Sequence, residues 1–305
     1  MERQSATTVQ RYVDLLSDAG FKAVFGEQRN KDVLMDLLNV LLPRERRVRD
    51  VTYATTELPG FSPFNKSVRL DLRCTGEDGT EFIVEVQCYR QRNLFRRCVL
   101  YASQVYASGS RKGDRQEYDI PPVYFICLLG GNAMIADRDC PEWRDKFVSE
   151  YTFREKDSGE MPDETIFTIF VELNRFGKEL DECGTLVEKW CYALKHVGNL
   201  DGLPDGLRVE AFERLFRACE ISKFDKEQKL SYEKNMITER DYYNIIDTAR
   251  EDGIEIGMER GIEQGIEQGI ERGVEKVAKE LKSMGIPVET IAAASGLSRE
   301  DVERL

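Results

Sequence analysis

The chain has 305 residues, 41% of them hydrophobic, enough for one large domain with appendages or two modest domains around a real core. A net charge of −12 argues against a surface that is basic throughout, and with His196 the lone histidine, any Ser-His-Asp, Cys-His or histidine-ligated metal arrangement has to depend on it, with no nucleophile motif beside it. Eight cysteines lie scattered without a CxxC pair, most of them in apolar runs, so they read as reduced core residues and not as a zinc site or disulfide framework.

The charge is uneven. Residues 1–130 carry 19 Lys and Arg against 17 Asp and Glu, leaving 25 against 39 in the remainder. The acidity belongs to the second half, and a nucleic-acid partner for the first half stays open. No apolar stretch of about 18 residues could span a bilayer, and MERQSATTVQ lacks the apolar run of a secretory signal. A cytoplasmic protein without a membrane partner is the simplest expectation.

From about Thr8 to Leu42 the pattern reads as helices: Tyr12, Leu15 and Leu16 recur at helical spacing, and KDVLMDLLNVLL continues it until Pro43. Arg44, Arg46, Arg47 and Arg49 follow as a cluster that either meets phosphates or lies solvated. VRDVTYAT reads as a strand. SVRLDLRC then alternates, turns through TGEDGT and continues in EFIVEVQC, a hairpin signature. A period of two puts Arg69, Asp71 and Arg73 on one side, and Val68, Leu70 and Leu72 on the other. Glu85 and Gln87 fall together, and a turn centred near Asp78 sets Asp71 roughly across from Glu85.

NLFRRCVLYASQVYAS has helical spacing, with Arg97, Tyr101 and Gln104 on one stripe; PPVYFICLLG and TIFTIFVEL read as buried strands. A helical region runs from about Glu182 to Asn235, with His196 in WCYALKH as a packed, structural residue. The class is α/β, a mixed sheet flanked by helices. From residue 253 to residue 273 glycine recurs every fourth position, each followed by an apolar residue from Ile254 to Val274. A four-residue repeat drifts about 40° per step on an α-helix, so its stripe winds around the axis. Six glycines also cost up to about 1 kcal/mol each relative to alanine. Close helix packing and a weakly helical acidic tether are both open readings. The end, VAKELKSMGIPVETIAAASGLSREDVERL, reads as helix, turn, Ala-rich helix, turn and a last helix capped by Ser298. Such a helix-turn-helix-like end docks on DNA elsewhere, but Glu300, Asp301 and Glu303 repel phosphates, which favours packing or homo-oligomer formation through the tail. The expected divisions are 1–180 as a core, 181–249 as a helical region on or after it, 250–277 as the glycine segment and 278–305 as the terminal module.

With histidine excluded, chemistry here runs on carboxylates. Asp71 and Glu85, across a hairpin and on one face, supply two oxygen donors suited to Mg²⁺ or Mn²⁺, and a carboxylate inside FIVEVQ is costly without a compensating charge. The competing reading is a salt bridge, because Arg69 and Arg73 share the face of Asp71.

The spacing Lys66-x4-Asp71 followed by Glu85-x-Gln87 resembles the PD-(D/E)XK nuclease family transposases, also called the recombination-promoting nuclease (Rpn) family. The likeness extends through SDAGFKAVFG, Glu57, FIVEVQ, Arg97-x3-Tyr101, PPVYFICLL, FERLFRACEISKF and the glycine-every-four tail, nearly the whole chain. It implies a restriction-endonuclease-like core whose hairpin holds the metal ligands, and DNA cleavage linked to recombination. Asp71 and Glu85 match the metal carboxylates of the family. Gln87 stands where the superfamily pattern has lysine; a neutral amide stabilises a charged transition state less well, and Lys66 or Arg97 is placed to supply the missing charge. Asp18 matches the D-x2-F-K start, though it could equally cap a helix, and Glu57 precedes a Pro-Gly loop; both are further candidates, with Arg97 and Tyr101. Arg92, Arg96, Arg97, Arg111 and Lys112 form the densest basic stretch near this hairpin and are the expected DNA contacts. The alternative is a catalytically weak nuclease-fold protein acting as a DNA-binding or assembly module.

Overall fold

A computed structural model describes residues 10–58, 67–110, 118–135 and 146–305. The chain divides into two compact units, Met1–Glu239 and Arg240–Leu305.

In the first unit, α1 (Asp18–Phe25) and α2 (Lys31–Leu41) precede β1 (Val51–Tyr53), β2 (Glu57–Leu58), β3 (Val68–Arg69), β4 (Leu72–Gly76) and β5 (Glu81–Gln87). Then come α3 (Leu94–Ser108), β6 (Val123–Leu129), β7 (Val148–Thr152), β8 (Ile166–Glu172), α4 (Leu186–His196) and α5 (Glu210–Cys219). Six strands form one sheet in the order β1-β4-β5-β6-β8-β7, with β5, β6 and β8 parallel and the outer pairs antiparallel. The mixed sheet is the architecture expected of a PD-(D/E)XK core. Its centre reads as unbroken apolar runs because both faces are covered.

Alternation along β5 splits the core in two. Even-numbered residues, Phe82 and Val84, join Tyr124, Ile126, Phe167 and Ile169 under α1, α2, α4 and α5. Odd-numbered residues face the other way: Ile83, Phe125 and Cys127 pack against Leu94, Cys98 and Ala102 of α3. The β4–β5 turn closes at Gly79, whose φ of +83° lies in the left-handed region that glycine enters without strain.

Two expectations change, one strand goes unassigned, and one of two open readings is selected. Tyr12 and Leu15 are buried, but not on a helix: Tyr12 bridges Glu220 in extended backbone, and the Val13 N–H donates to the Cys219 carbonyl. Their spacing follows the contact with the end of α5, and the helix begins only at Asp18, capped by Ser17. SVRLDLRC is two strands: β3 pairs with β2 in a separate ribbon, the chain breaks at Leu70 and Asp71, and β4 joins the main sheet. The edge strand β7 was not anticipated from its short, mixed pattern VSEYT. The glycine repeat is helical, part of α6 (Lys226–Ser283).

The second unit holds most of α6 with α7 (Val288–Ser295) and α8 (Arg299–Arg304), closed by Ala278, Ile291 and Val302 in a small core. Ser298 caps α8 by accepting from the Asp301 N–H, as its sequence indicates. Gly296, at φ +74°, ends α7 in a left-handed cap. Among the described residues no helix is long and apolar enough to cross a membrane.

Candidate active site

The break between β3 and β4 creates the site. Leu72 pairs with Val84, so the next position outward sets Asp71 beside Glu85 at the C-terminal end of β5, where the sheet no longer supplies ladder bonds to Asp71. Side chains replace the ladder. Glu85 Oε1 accepts the Asp71 N–H at 3.0 Å, and Asp71 Oδ2 accepts the Val86 N–H at 3.1 Å. Each carboxylate is thus held by the backbone of the other strand, and both sit on the carboxyl-end rim where α/β sheets bind ligands.

Burial makes this pair electrostatically poor. Glu85 is 5% exposed, and burial followed by the charge of Asp71 pushes its pKa up to about 8. Burial also raises Asp71, opposed by the ammonium of Lys22. Lys22 Nζ lies 3.4 Å from Asp71 Oδ1 and 2.5 Å from Asp18 Oδ1. Burial alone would depress the Lys22 pKa, but its bond to Asp18 and the charge of Asp71 raise it instead. The salt bridge offered by the sequence is not formed: Arg73 pairs with Glu81 through Nε at 2.8 Å, and Arg69 stands in register with Glu57.

On the α3 side, Gln87 Oε1 accepts from Gln91 Nε2 at 2.9 Å and from an Arg97 guanidinium nitrogen at 3.0 Å. Arg97 also donates to Gln91 Oε1 and lies over the Tyr101 ring, 5.7 Å from its centroid. Its Nε is buried without a hydrogen-bond partner among the described residues. The positive charge of Arg97 acts on Glu85, partly offsetting the burial.

The structure therefore gathers Asp71, Glu85, Gln87, Arg97, Tyr101 and Asp18 at one end of the sheet. Asp18 does not cap α1, since Ser17 Oγ accepts the Gly20 N–H at 2.9 Å; it pairs with Lys22 one turn on. Gly20 is required there, because a Cβ would stand 1.9 Å from the Asp14 carbonyl oxygen. Glu57 is exposed on β2, opposite Arg69 and not opposite Asp71. Arg92 and Arg96 are exposed at the start of α3, whereas Lys66, Arg111 and Lys112 lie outside the described residues. His196 lies against Tyr192 on α4, ring centroids 4.6 Å apart and tilted by 39°, in keeping with a structural role. Two participants went unassigned from the sequence, Lys22 and Gln91. An Asp18–Lys22 spacing of one helical turn on an otherwise apolar helix was the available signal for Lys22.

Hard oxygen donors are what this site offers a metal. Among the described residues no group of three or more His, Cys, Asp and Glu clusters to hold one. Two carboxylates nevertheless fit Mg²⁺, which keeps several waters and takes one or two protein carboxylates beside substrate phosphates.

No curated protein and no solved structure matches the chain. The family model described as PD-(D/E)XK nuclease family transposase matches residues 15–249, a span that contains the whole sheet, α1 to α5 and every residue of the site. The chain belongs to the PD-(D/E)XK nuclease family transposases.

Proposed function

We propose that the protein is a Mg²⁺- or Mn²⁺-dependent DNA endonuclease acting in recombination or transposition, with Asp71 and Glu85 as the metal carboxylates. The observation that carries this reading is the reciprocal clasp of a buried acid, Glu85, and a half-buried one, Asp71, that the protein leaves short of positive charge. When bound, the cation neutralises the transferring phosphate and lowers the pKa of attacking water, effects worth several kcal/mol. Hydrolysis joins the water oxygen to phosphorus and breaks one phosphorus–oxygen bond, with the water proton released and the leaving oxygen protonated from solvent.

The residues themselves bind and orient. The two backbone N–H donors fix one oxygen of each carboxylate, and the other oxygen of Asp71 faces the Lys22 ammonium at 3.4 Å. Arg97 holds Gln87 in place and lends its charge to the Glu85 side. DNA approach over α3 would use Arg92 and Arg96, both exposed, with Arg111 and Lys112 beyond; Lys66 is a further candidate for the charge that Gln87 lacks.

Plasmid nicking with and without Mg²⁺ tests the reading: metal-dependent nicking by wild type and none by Glu85→Gln is expected. Absent nicking with salt-sensitive DNA binding favours the second reading, a DNA-binding or assembly module, to which the neutral, fully engaged carbonyl of Gln87 lends support, and metal-independent nicking would remove the cation from the first. Exposed Ile254, Ile262, Ile266 and Ile270 support homo-oligomer formation through the tail, which sedimentation of the chain with and without residues 250–305 would check.

A further inference from the structure

Access to the carboxylate pair runs past Asp71. Glu85 is buried, while Asp71 lines a cleft of ≈ 320 Å³ between α1, the β2–β3 ribbon and the first turns of α6. One wall carries Lys22, Arg69 and Asp71; the other carries Gln228, Ser231 and Asn235. Glu27 and Thr56 also line it, so the cleft offers two cations, two acids, amides and hydroxyls, a polar lining that suits a phosphate–sugar backbone with its cation better than an apolar ligand. The volume lies at the small end of ligand clefts, matching one nucleotide unit of a strand and not a duplex.

Lys22 is the cation placed for the reacting phosphate. Gln87 is neutral, and its carbonyl already accepts from Gln91 and Arg97. Arg73 is committed to Glu81. The Lys22 ammonium has three donors, two of which point at Asp18 and Asp71, and its side chain keeps 33% of its exposure. A phosphate bound at Asp71 would therefore meet the remaining donor without any rearrangement of α1.

We propose that Lys22 is a catalytic residue that binds a non-bridging oxygen of the scissile phosphate, with the cut strand seated in the cleft between α1 and α6. This rests on the endonuclease reading and names how that site holds its substrate. It involves no proton transfer by Lys22; the ammonium stabilises charge accumulating on the phosphate oxygens as the water attacks.

The test uses the full chain with Lys22→Met, Lys22→Arg and Lys31→Met. Single-turnover nicking of DNA in Mg²⁺ is expected to fall by at least about 100-fold for Lys22→Met and to return to within about tenfold of wild type for Lys22→Arg. DNA affinity measured in Ca²⁺ across a salt series is expected to lose about one unit of log–log slope in Lys22→Met. Lys31→Met removes a cation that pairs with Asp50 outside the cleft and is expected to stay within a few-fold in both. Nicking by Lys22→Met within twofold of wild type overturns the proposal while leaving the endonuclease reading intact. So does a Lys22→Arg variant as inactive as Lys22→Met with an equal loss of melting temperature, because that marks a structural role. Should wild type not nick at all, the endonuclease reading falls and the salt series decides alone: a reduced slope retains the phosphate contact, and an unchanged slope removes it.

Discussion

The two ends of the β4–β5 hairpin carry acids on the same face, and they are treated differently. Near the turn, Glu81 receives Arg73 Nε and the Thr75 hydroxyl, both at 2.8 Å, so its charge is met inside the protein. Four residues along β5, Glu85 has Asp71 as its neighbour, two backbone N–H groups between them, and, among the described residues, positive charge from Lys22 and Arg97 that does not offset its burial. The register is the same and the residue type is the same. What differs is how fully a cation meets the charge: Arg73 bonds Glu81 directly, whereas Lys22 reaches Asp71 and not Glu85. An acid that the fold neutralises is a structural bond, whereas an acid pair without full neutralisation is, on the proposed reading, the place a cation from solution would occupy.

The largest effect expected from this contrast is on cleavage. Asp71→Asn and Glu85→Gln should each lower metal-dependent plasmid nicking by about 1000-fold or more, the loss of several kcal/mol of charge stabilisation. Glu81→Gln should remain within a few-fold of wild type. Equal losses at both ends would dissolve the distinction.

Stability without metal should move in the opposite sense. Arg73→Met leaves Glu81 part-buried and unpaired, and should destabilise the protein by about 1–3 kcal/mol. Glu85→Gln keeps the acceptor for the Asp71 N–H and removes the charge, so it should be neutral or stabilising. The difference depends on pH. A pKa of about 8 in the folded state, above the ordinary 4.5, means that the folded protein holds a proton there which the unfolded chain has released. Metal-free wild type should therefore lose stability as pH rises from about 4.5 to about 8, and then level off. Glu85→Gln should lack this slope, giving a gain at pH 8 on the order of 1–3 kcal/mol that is absent at pH 4.5. Melting temperatures across that range measure it.

Much of this geometry was legible beforehand. The alternation of SVRLDLRC and EFIVEVQC about a turn near Asp78 set Asp71 beside Glu85, and the sheet class followed from the long apolar strands. The break at Leu70 was not legible, because two short strands in different sheets and one long strand share the same alternation. Lys22 was hidden for another reason. Its partner Asp71 lies on a distant strand, and only the packing of α1 against the sheet brings them together. Tyr12 and Leu15 misled in the opposite direction, since residues buried against α5 happened to recur at a helical interval.

A smaller effect concerns approach rather than chemistry. Neutralising Arg96 and Lys112 together should weaken DNA binding and reduce its salt dependence by about one log–log unit per lost contact, leaving the metal-free melting temperature unchanged. An unchanged slope would put the DNA path elsewhere.

The smallest effect is expected furthest from the hairpin. Gly261 and Gly265 in α6 have nothing within 4 Å of an added Cβ, so changing both to alanine should stabilise that helix by up to about 1 kcal/mol each, read by circular dichroism, with nicking unaltered.

The central claim, that the acid pair and not the hairpin as such forms a cation site, is tested most directly by calorimetric titration of the metal-free protein with Mn²⁺. Wild type and Glu81→Gln are expected to bind with equal affinity, and Asp71→Asn and Glu85→Gln to bind at least about tenfold more weakly. Undiminished Mn²⁺ binding by Glu85→Gln would contradict the claim and leave Asp71 and Glu85 as a structural clasp.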